Sequence, residues 1–327
     1  MTSDDVNQAY QRLQSVLLLP TPLEYCSWLS ERIGGTVYLK LEVFRETRTF
    51  KVRGAFNVLL QLPAAARARG VVTASGGNHA LAVAYAAHRL GIPATVVMTT
   101  GAPANVADLC RAYGANVRVQ GAVYEEAEGD AQALSHRDGL VFIPAFDDPA
   151  VIAGQGTIGR EIQTQWPQCT DIVVPVGGGG LIAGIAISYQ DQPDRPRIVG
   201  AEPAGAAALA SALETGERAA LANPQSRWAE KLMPRQIGAR PFAIAQAMVD
   251  HVLRVPEAAI ESAVMQFLAR SNLLVEGSAA ITAAAMEAHV EMFRGRHVAL
   301  VISGGNINLA LLAEALGRSR GKDGDGQ

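Results

Sequence analysis

Three times in this chain an apolar, β-branched run passes straight into a glycine-rich turn and then into an apolar or Ala-rich stretch. Val71 to Ala74 leads into Ser75-Gly76-Gly77-Asn78-His79. Asp171 to Val176 leads into Gly177-Gly178-Gly179-Gly180. His297 to Ile302 leads into Ser303-Gly304-Gly305-Asn306. Short β-branched runs read as strands and the stretches after them as helices. Further runs at Thr36–Glu42, Ala94–Thr100, Asn116–Gln120, Leu140–Phe146, Arg197–Pro203 and His251–Pro256 extend the alternation along the chain. Such alternation predicts an α/β fold with two open, mostly parallel sheets and helices on both faces. Ligands of open parallel sheets bind outside the carboxyl ends of the strands, where these three turns fall.

Composition narrows the function. Of the 327 residues, 49% are hydrophobic and 18% charged, which excludes a disordered chain. A net charge of −3 gives no basic excess for a phosphate backbone, so a nucleic-acid partner is not expected. Cys26, Cys110 and Cys169 are odd in number and far apart, which speaks against a disulfide framework or a zinc site. With a polar, acidic amino terminus and no uninterrupted apolar span, the chain reads as cytoplasmic, without a membrane segment. The stretch 317–327 has almost no apolar content and is expected to be a disordered tail.

Four consecutive glycines at a strand-to-helix junction exceed what a plain turn needs. They let backbone N–H groups converge at a helix N-terminus, which makes a cradle for a phosphate. No Lys-Ser/Thr follows and no ribose-binding acid lies downstream, so a monophosphate cofactor fits better than a nucleotide. Lys51, beside Phe50 at the start of an amphipathic stretch, sits where apolar neighbours and the helix dipole favour the neutral amine of Schiff-base chemistry. The competing reading is an ordinary solvated lysine. The Ser75 to His79 turn offers N–H groups and an amide to an anion, and the plainer reading makes Asn78 a helix cap. His88, His136, His251, His289 and His297 show no paired spacing and are read as structural or solvated, and Cys110 as a core-facing helical residue.

Lysine within Thr49-Phe50-Lys51-Val52-Arg53-Gly54-Ala55, then Ser-Gly-Gly-Asn-His, the tetraglycine and Ser-Gly-Gly-Asn, together with Ala145 to Ile162, resembles the fold-type II (tryptophan synthase β-like) pyridoxal-phosphate enzymes. Within them the chain is most similar to threonine/serine dehydratases and serine racemases, from about Thr21 to Leu316. The resemblance implies pyridoxal 5'-phosphate in a cleft between a large domain (1–70 and 148–327) and a small inserted one (71–147). It implies that Lys51 carries the cofactor and moves the substrate's α-proton. Phe50 would pack beside the ring, and Asn78 would bond its hydroxyl. Gly177, Gly178, Gly179, Gly180 and the Leu181 amide would hold the phosphate, and Ser303 would face the ring nitrogen. Ser75, Gly76, Gly77, Asn78 and His79 would bind the carboxylate of a small amino-acid substrate. The implied reaction is elimination of water from a β-hydroxy-α-amino acid such as threonine or serine, followed by hydrolysis of the enamine to a 2-oxo acid and ammonia, in a homodimer. A racemase, a β-replacement synthase and a non-catalytic relic of the fold are the rivals.

Departures from the family pattern are informative. Gly76 stands where racemases carry the serine that acts opposite the lysine. The family's divalent-metal pattern has lost its carboxylate partner at Ala208, leaving Glu202, so no metal site is expected. Arg48 replaces a glycine. Glu230-Lys231-Leu232, flanked by Trp228, aligns with the usual Ala-Asp-Gly of the substrate-side loop. Either that loop turns outward and its charges are solvated, or Lys231 and Arg48 pair with Glu230 or meet an acidic group of the substrate. The chain's short C-terminal segment carries no expectation of feedback by isoleucine.

Overall fold

A computed structural model describes residues 1–324, with side chains described through Arg318. Ten strands form among the described residues: β1 Leu23–Tyr25, β2 Thr36–Leu41, β3 Val71–Ala74, β4 Ala94–Met98, β5 Asn116–Val119, β6 Val141–Phe142, β7 Asp171–Pro175, β8 Arg197–Pro203, β9 His251–Val255 and β10 His297–Ile302. They sort into a six-stranded sheet ordered β1-β2-β10-β7-β8-β9 and a four-stranded sheet ordered β5-β4-β3-β6. Every pairing is parallel except β1 with β2. The two open parallel sheets agree with the expectation from the sequence.

Alternation along the central strands explains why both faces are covered. Ile172, Val174, Ala299 and Val301 pack with Ile158, Ile162, Ile182 and Ile185 of helices Pro149–Gln165 and Gly180–Ser188. Val173, Val298, Leu300 and Ile302 face Ile260, Val264, Ile281 and Met286 of helices Glu257–Ser271 and Gly277–Ala288. Successive side chains of a strand point to opposite faces, so a strand apolar at every position is buried on both.

Two features fix helix Lys51–Leu59, which begins at the candidate lysine. A Cβ on Gly154 would stand 2.7 Å from the Cα of Gly54, so the two helices cross at bare backbone. Next to Gly54 in the chain, Arg53 is fully buried and bonds Glu42 and Glu161. Helix Pro149–Gln165 starts cleanly because the Asp148 carboxylate accepts from the N–H groups of Ala150 and Val151, with Pro149 at the first position.

Some expectations need correction. β1 and helices Ser3–Leu13, Ser27–Ile33 and Ala64–Arg69 are additional elements. The apolar stretch 277–293, which reads as one long helix in the sequence, breaks at His289 into Gly277–Ala288 and Val290–Phe293. The final helix, Leu309–Gly324, runs on through the stretch expected to be a disordered tail, since Leu311, Leu312 and Ala315 bury its first turns and Arg318 pairs with Glu261 at 2.5 Å. Residues 325–327 lie outside the described residues. No helix among the described residues is long and apolar enough to cross a membrane.

Candidate cofactor and substrate site

The three glycine turns follow β3, β7 and β10 at their carboxyl ends. Lys51 is drawn to them by backbone pairing. Thr49 forms a bridge with Gly304, Phe50 N–H donates to the Ser303 carbonyl at 3.0 Å, and Gly305 N–H donates to the Arg48 carbonyl at 2.9 Å. The Lys51 ammonium donates to the Ala145 carbonyl at 2.7 Å and lies 5.2 Å from the centre of the Phe50 ring. Burial lowers its pKa to about 8, close to the neutral amine required of a nucleophile.

Phe146, the residue after Ala145, joins Lys51 to the tetraglycine. A Cβ on Gly178 would overlap the Phe146 ring, and one on Gly180 would stand 2.8 Å from its carbonyl oxygen. Gly179 adopts φ +88°, a conformation that glycine alone takes without strain. Among the described residues none accepts a hydrogen bond from the N–H groups of Gly177 to Leu181. Five free donors at the start of helix Gly180–Ser188, on backbone that leaves no room for a side chain at Gly178, Gly179 and Gly180, fit a phosphate. The hydroxyl of Ser303, itself buried, is likewise without a partner among the described residues.

The turn after β3 brings Asn78 to the same place. Gly77, not Asn78, caps helix Asn78–Leu90, and the amide of Asn78 turns away from the helix. Its Nδ2 donates to Glu276 Oε1 at 2.8 Å, and its Oδ1 accepts from Asn306 Nδ2 at 2.8 Å. Gly77 N–H donates to Ser75 Oγ at 3.2 Å, which shapes the turn. A Cβ on Gly76 would stand 2.8 Å from that of Ala102. His79 is buried, with Nε2 3.1 Å from the Ile143 carbonyl. A carbonyl only accepts, so Nε2 carries the proton and Nδ1 is a buried acceptor without a partner among the described residues. Burial first, and the Lys51 charge second, lower the pKa of His79 to about 3.

Several groups here were not singled out from the sequence. Glu276 is buried and caps the start of helix Gly277–Ala288 by position. Asn306 closed a motif but had no assigned contact. It donates to the Thr47 carbonyl as well as to Asn78. Trp228, expected near the side-chain pocket, is instead core. It is 4% exposed and its indole N–H donates to Glu261, away from the turns. Arg48 is exposed at φ +56°, reaching only the Val43 carbonyl, at 3.4 Å. Glu202 caps helix Ala208–Thr215, accepting from Leu209 and Ala210 N–H at 2.8 Å each. Burial raises its pKa to about 7.

Two mostly parallel sheets, a half-buried lysine, and a glycine cradle joined to it through Ala145 and Phe146 define an α/β enzyme built around a phosphorylated carbonyl cofactor. The family described as pyridoxal-phosphate dependent enzyme matches residues 15–304, and the chain belongs to that family. It is 37% identical to the L-threonine ammonia-lyase of Thermotoga maritima over 99% of this chain and 80% of that protein. Threonine deaminase isoform 2 of Solanum lycopersicum superposes with a TM-score of 0.89 at 35% identity, covering 96% of this chain and 93% of that one. Maize serine racemase superposes with a TM-score of 0.90 at 30% identity, covering 98% of each chain.

Proposed function

We propose that this enzyme eliminates the β-hydroxyl of a β-hydroxy-α-amino acid such as threonine or serine as water, and that the released enamine takes a water back on hydrolysis to give a 2-oxo acid and ammonia. The observation that carries the reading is Lys51, a half-buried amine with its pKa lowered to about 8, set at the same strand ends as the tetraglycine donors. Pyridoxal phosphate, when bound, supplies the electron sink for charge developing at the substrate's α-carbon. Gly177 to Gly180 and the Leu181 amide hold its phosphate, Phe50 packs beside its ring, and Asn78 donates to its ring oxygen. Ser303 offers a hydroxyl to its nitrogen, where a carboxylate would protonate more strongly. Lys51 carries the cofactor and takes the α-proton. Ser75, Gly76, Gly77, Asn78 and His79 hold the substrate carboxylate, with His79 neutral at any working pH. Residues 71–147 act as a small domain over a large one of 1–70 and 148–327.

The name of the Thermotoga relative supports threonine as the first substrate to test. The maize racemase supports the same scaffold, but Gly76 puts no acid opposite Lys51. A 2-oxo acid assay over threonine, serine and their enantiomers, run beside a chiral amino-acid assay, tests the reading. Inversion without 2-oxo acid would replace it. We further propose a homodimer in the reducing cytoplasm, with no nucleic-acid partner. Three free buried cysteines, exposed Leu18 and Phe44 together with Tyr25 on the edge strand β1, and the net charge of −3 support these readings.

A further inference from the structure

Lys231 lies where the sequence left two possibilities open, and its surroundings decide between them. Three oxygens surround its ammonium: Glu230 Oε1 at 3.1 Å, Glu276 Oε2 at 3.1 Å and the Asn306 carbonyl at 2.8 Å. Two of its protons are hydrogen-bonded, to Glu230 and to the Asn306 carbonyl, while Glu276 Oε2 meets the charge as an ion pair without an aligned hydrogen bond. With two carboxylates beside it, the local charge is negative, and an acidic substrate group would be repelled there. Lys231 therefore faces into the protein's own network and does not read the substrate.

That network ends on Asn78. Glu276 meets Lys231 through Oε2 and Asn78 through Oε1. An ionised carboxylate only accepts, so it requires Asn78 to present its NH2 group. Asn306 requires the opposite on the other side, because it donates to Asn78 Oδ1. The amide is pinned from both ends, and its second Nδ2 proton is left to point elsewhere. A protonated Glu276 could instead donate, and the amide could then turn over and present oxygen where it had presented hydrogen. Burial does push the Glu276 carboxyl toward the protonated form, with Lys231 pulling the other way and Glu230 adding to the push. Lys231 itself, whose charge burial opposes, is held protonated by Glu276 and Glu230.

We propose that Lys231 is a positioning residue that keeps Glu276 an acceptor and so locks the Asn78 amide with its NH2 group toward the cofactor's ring oxygen. This rests on the reading of Asn78 as a cofactor-facing residue. A Cβ on Gly177 would stand 3.4 Å from the Lys231 carbonyl oxygen, so the same residue also borders the tetraglycine turn.

The test is pyridoxal phosphate affinity and the visible absorption of the bound cofactor, measured on the full chain. Lys231→Met should weaken affinity about 5- to 30-fold, as expected for one misdirected anchoring hydrogen bond, and shift the absorption band. Lys231→Arg should restore both. Glu276→Gln has no charge for Lys231 to stabilise, so adding Lys231→Met to it should cost nothing further. Equal losses in the two backgrounds, or failure of arginine to rescue, would overturn the proposal. Should Lys231→Met alone not fold, the doubly substituted protein, compared with Glu276→Gln, still decides. Asn78→Ala separates the layers. If it leaves affinity and absorption unchanged, the reading of Asn78 fails and the proposal with it. If it weakens binding while Lys231→Met does not, the proposal alone fails.

Discussion

Arg53 and Glu161 meet through two hydrogen bonds, of 2.7 and 2.9 Å, in a region with no exposed surface. Lys40 adds a third contact to the same carboxylate at 2.6 Å, and Glu42 takes the remaining face of the guanidinium. Removing one member of a buried ion pair strands the others without water. Glu161→Ala should therefore cost roughly 3–5 kcal/mol and lower the unfolding midpoint in urea correspondingly. A loss below about 1 kcal/mol would show that the cluster relaxes or hydrates.

The same cluster sets an acid limit. Burial pushes the Glu42 carboxyl up, but Arg53 and Arg45 overcome it and hold the pKa at about 2. A carboxylate depressed in the fold contributes stability that is fully present above its unfolded value of about 4.5. That contribution drains as pH falls from there toward 2. Urea midpoints measured between pH 6 and 3 should fall below about 4.5, and Glu42→Gln should flatten this part of the curve. An unchanged slope would move the acid sensitivity elsewhere.

Lys51 should react with pyridoxal phosphate as its neutral amine. Its pKa is lowered by burial, so the rate of loading should rise with pH through a midpoint near 8 and level off above it. Borohydride reduction followed by peptide mapping should then fix the label on Lys51. A label elsewhere would dismiss this residue, and Lys51→Ala should reduce turnover by roughly 10²–10⁴-fold at least.

Converting the reaction toward racemisation needs two changes. Gly76→Ser alone drives its Cβ to 2.8 Å from that of Ala102, a contact with no flexible end to give way. The single variant should lose stability, whereas Gly76→Ser with Ala102→Gly should recover it and form detectable opposite enantiomer. No enantiomer from the double variant would mean that Gly76 is not on the face opposite Lys51.

Arg48→Gly pits two effects against each other. An L-residue at positive φ costs roughly 1–2 kcal/mol, and glycine costs roughly 0.5–1 kcal/mol more chain entropy. With Arg48 exposed and held by one long hydrogen bond, strain relief wins. The variant should be more stable by up to about 1 kcal/mol in thermal unfolding, with the KM for threonine unchanged. A raised KM would restore Arg48 to the substrate pocket.

What the residues announced and what they hid differ for a physical reason. Gly177 to Gly180, Gly76-Gly77 and Gly304-Gly305 were legible because each glycine follows its own strand, and a local sequence carries both halves of the signal. Lys51 was legible through its neighbours. The contact of Lys231 with Glu276 joins residues far apart in the chain, and no periodicity encodes it. Trp228 was misread because an aromatic beside a charged loop looks like a pocket wall, while only its packing against helix Glu257–Ser271 shows it to be core. β1 is three residues long, too short for a strand's alternation to show.

Asn78 hangs from the four-stranded sheet, while Glu276 and Asn306 belong to the six-stranded one. Any widening of the cleft by separation of the sheets must therefore strain or break the two bonds on one side-chain amide. Its pair of NH2 protons becomes a local gauge of opening, visible by amide-directed NMR without labelling substrate or cofactor. On the proposed role of Asn78, it also makes admission of a ligand and loosening of the ring-oxygen donor the same physical event, so a variant that gapes should bind fast and hold badly.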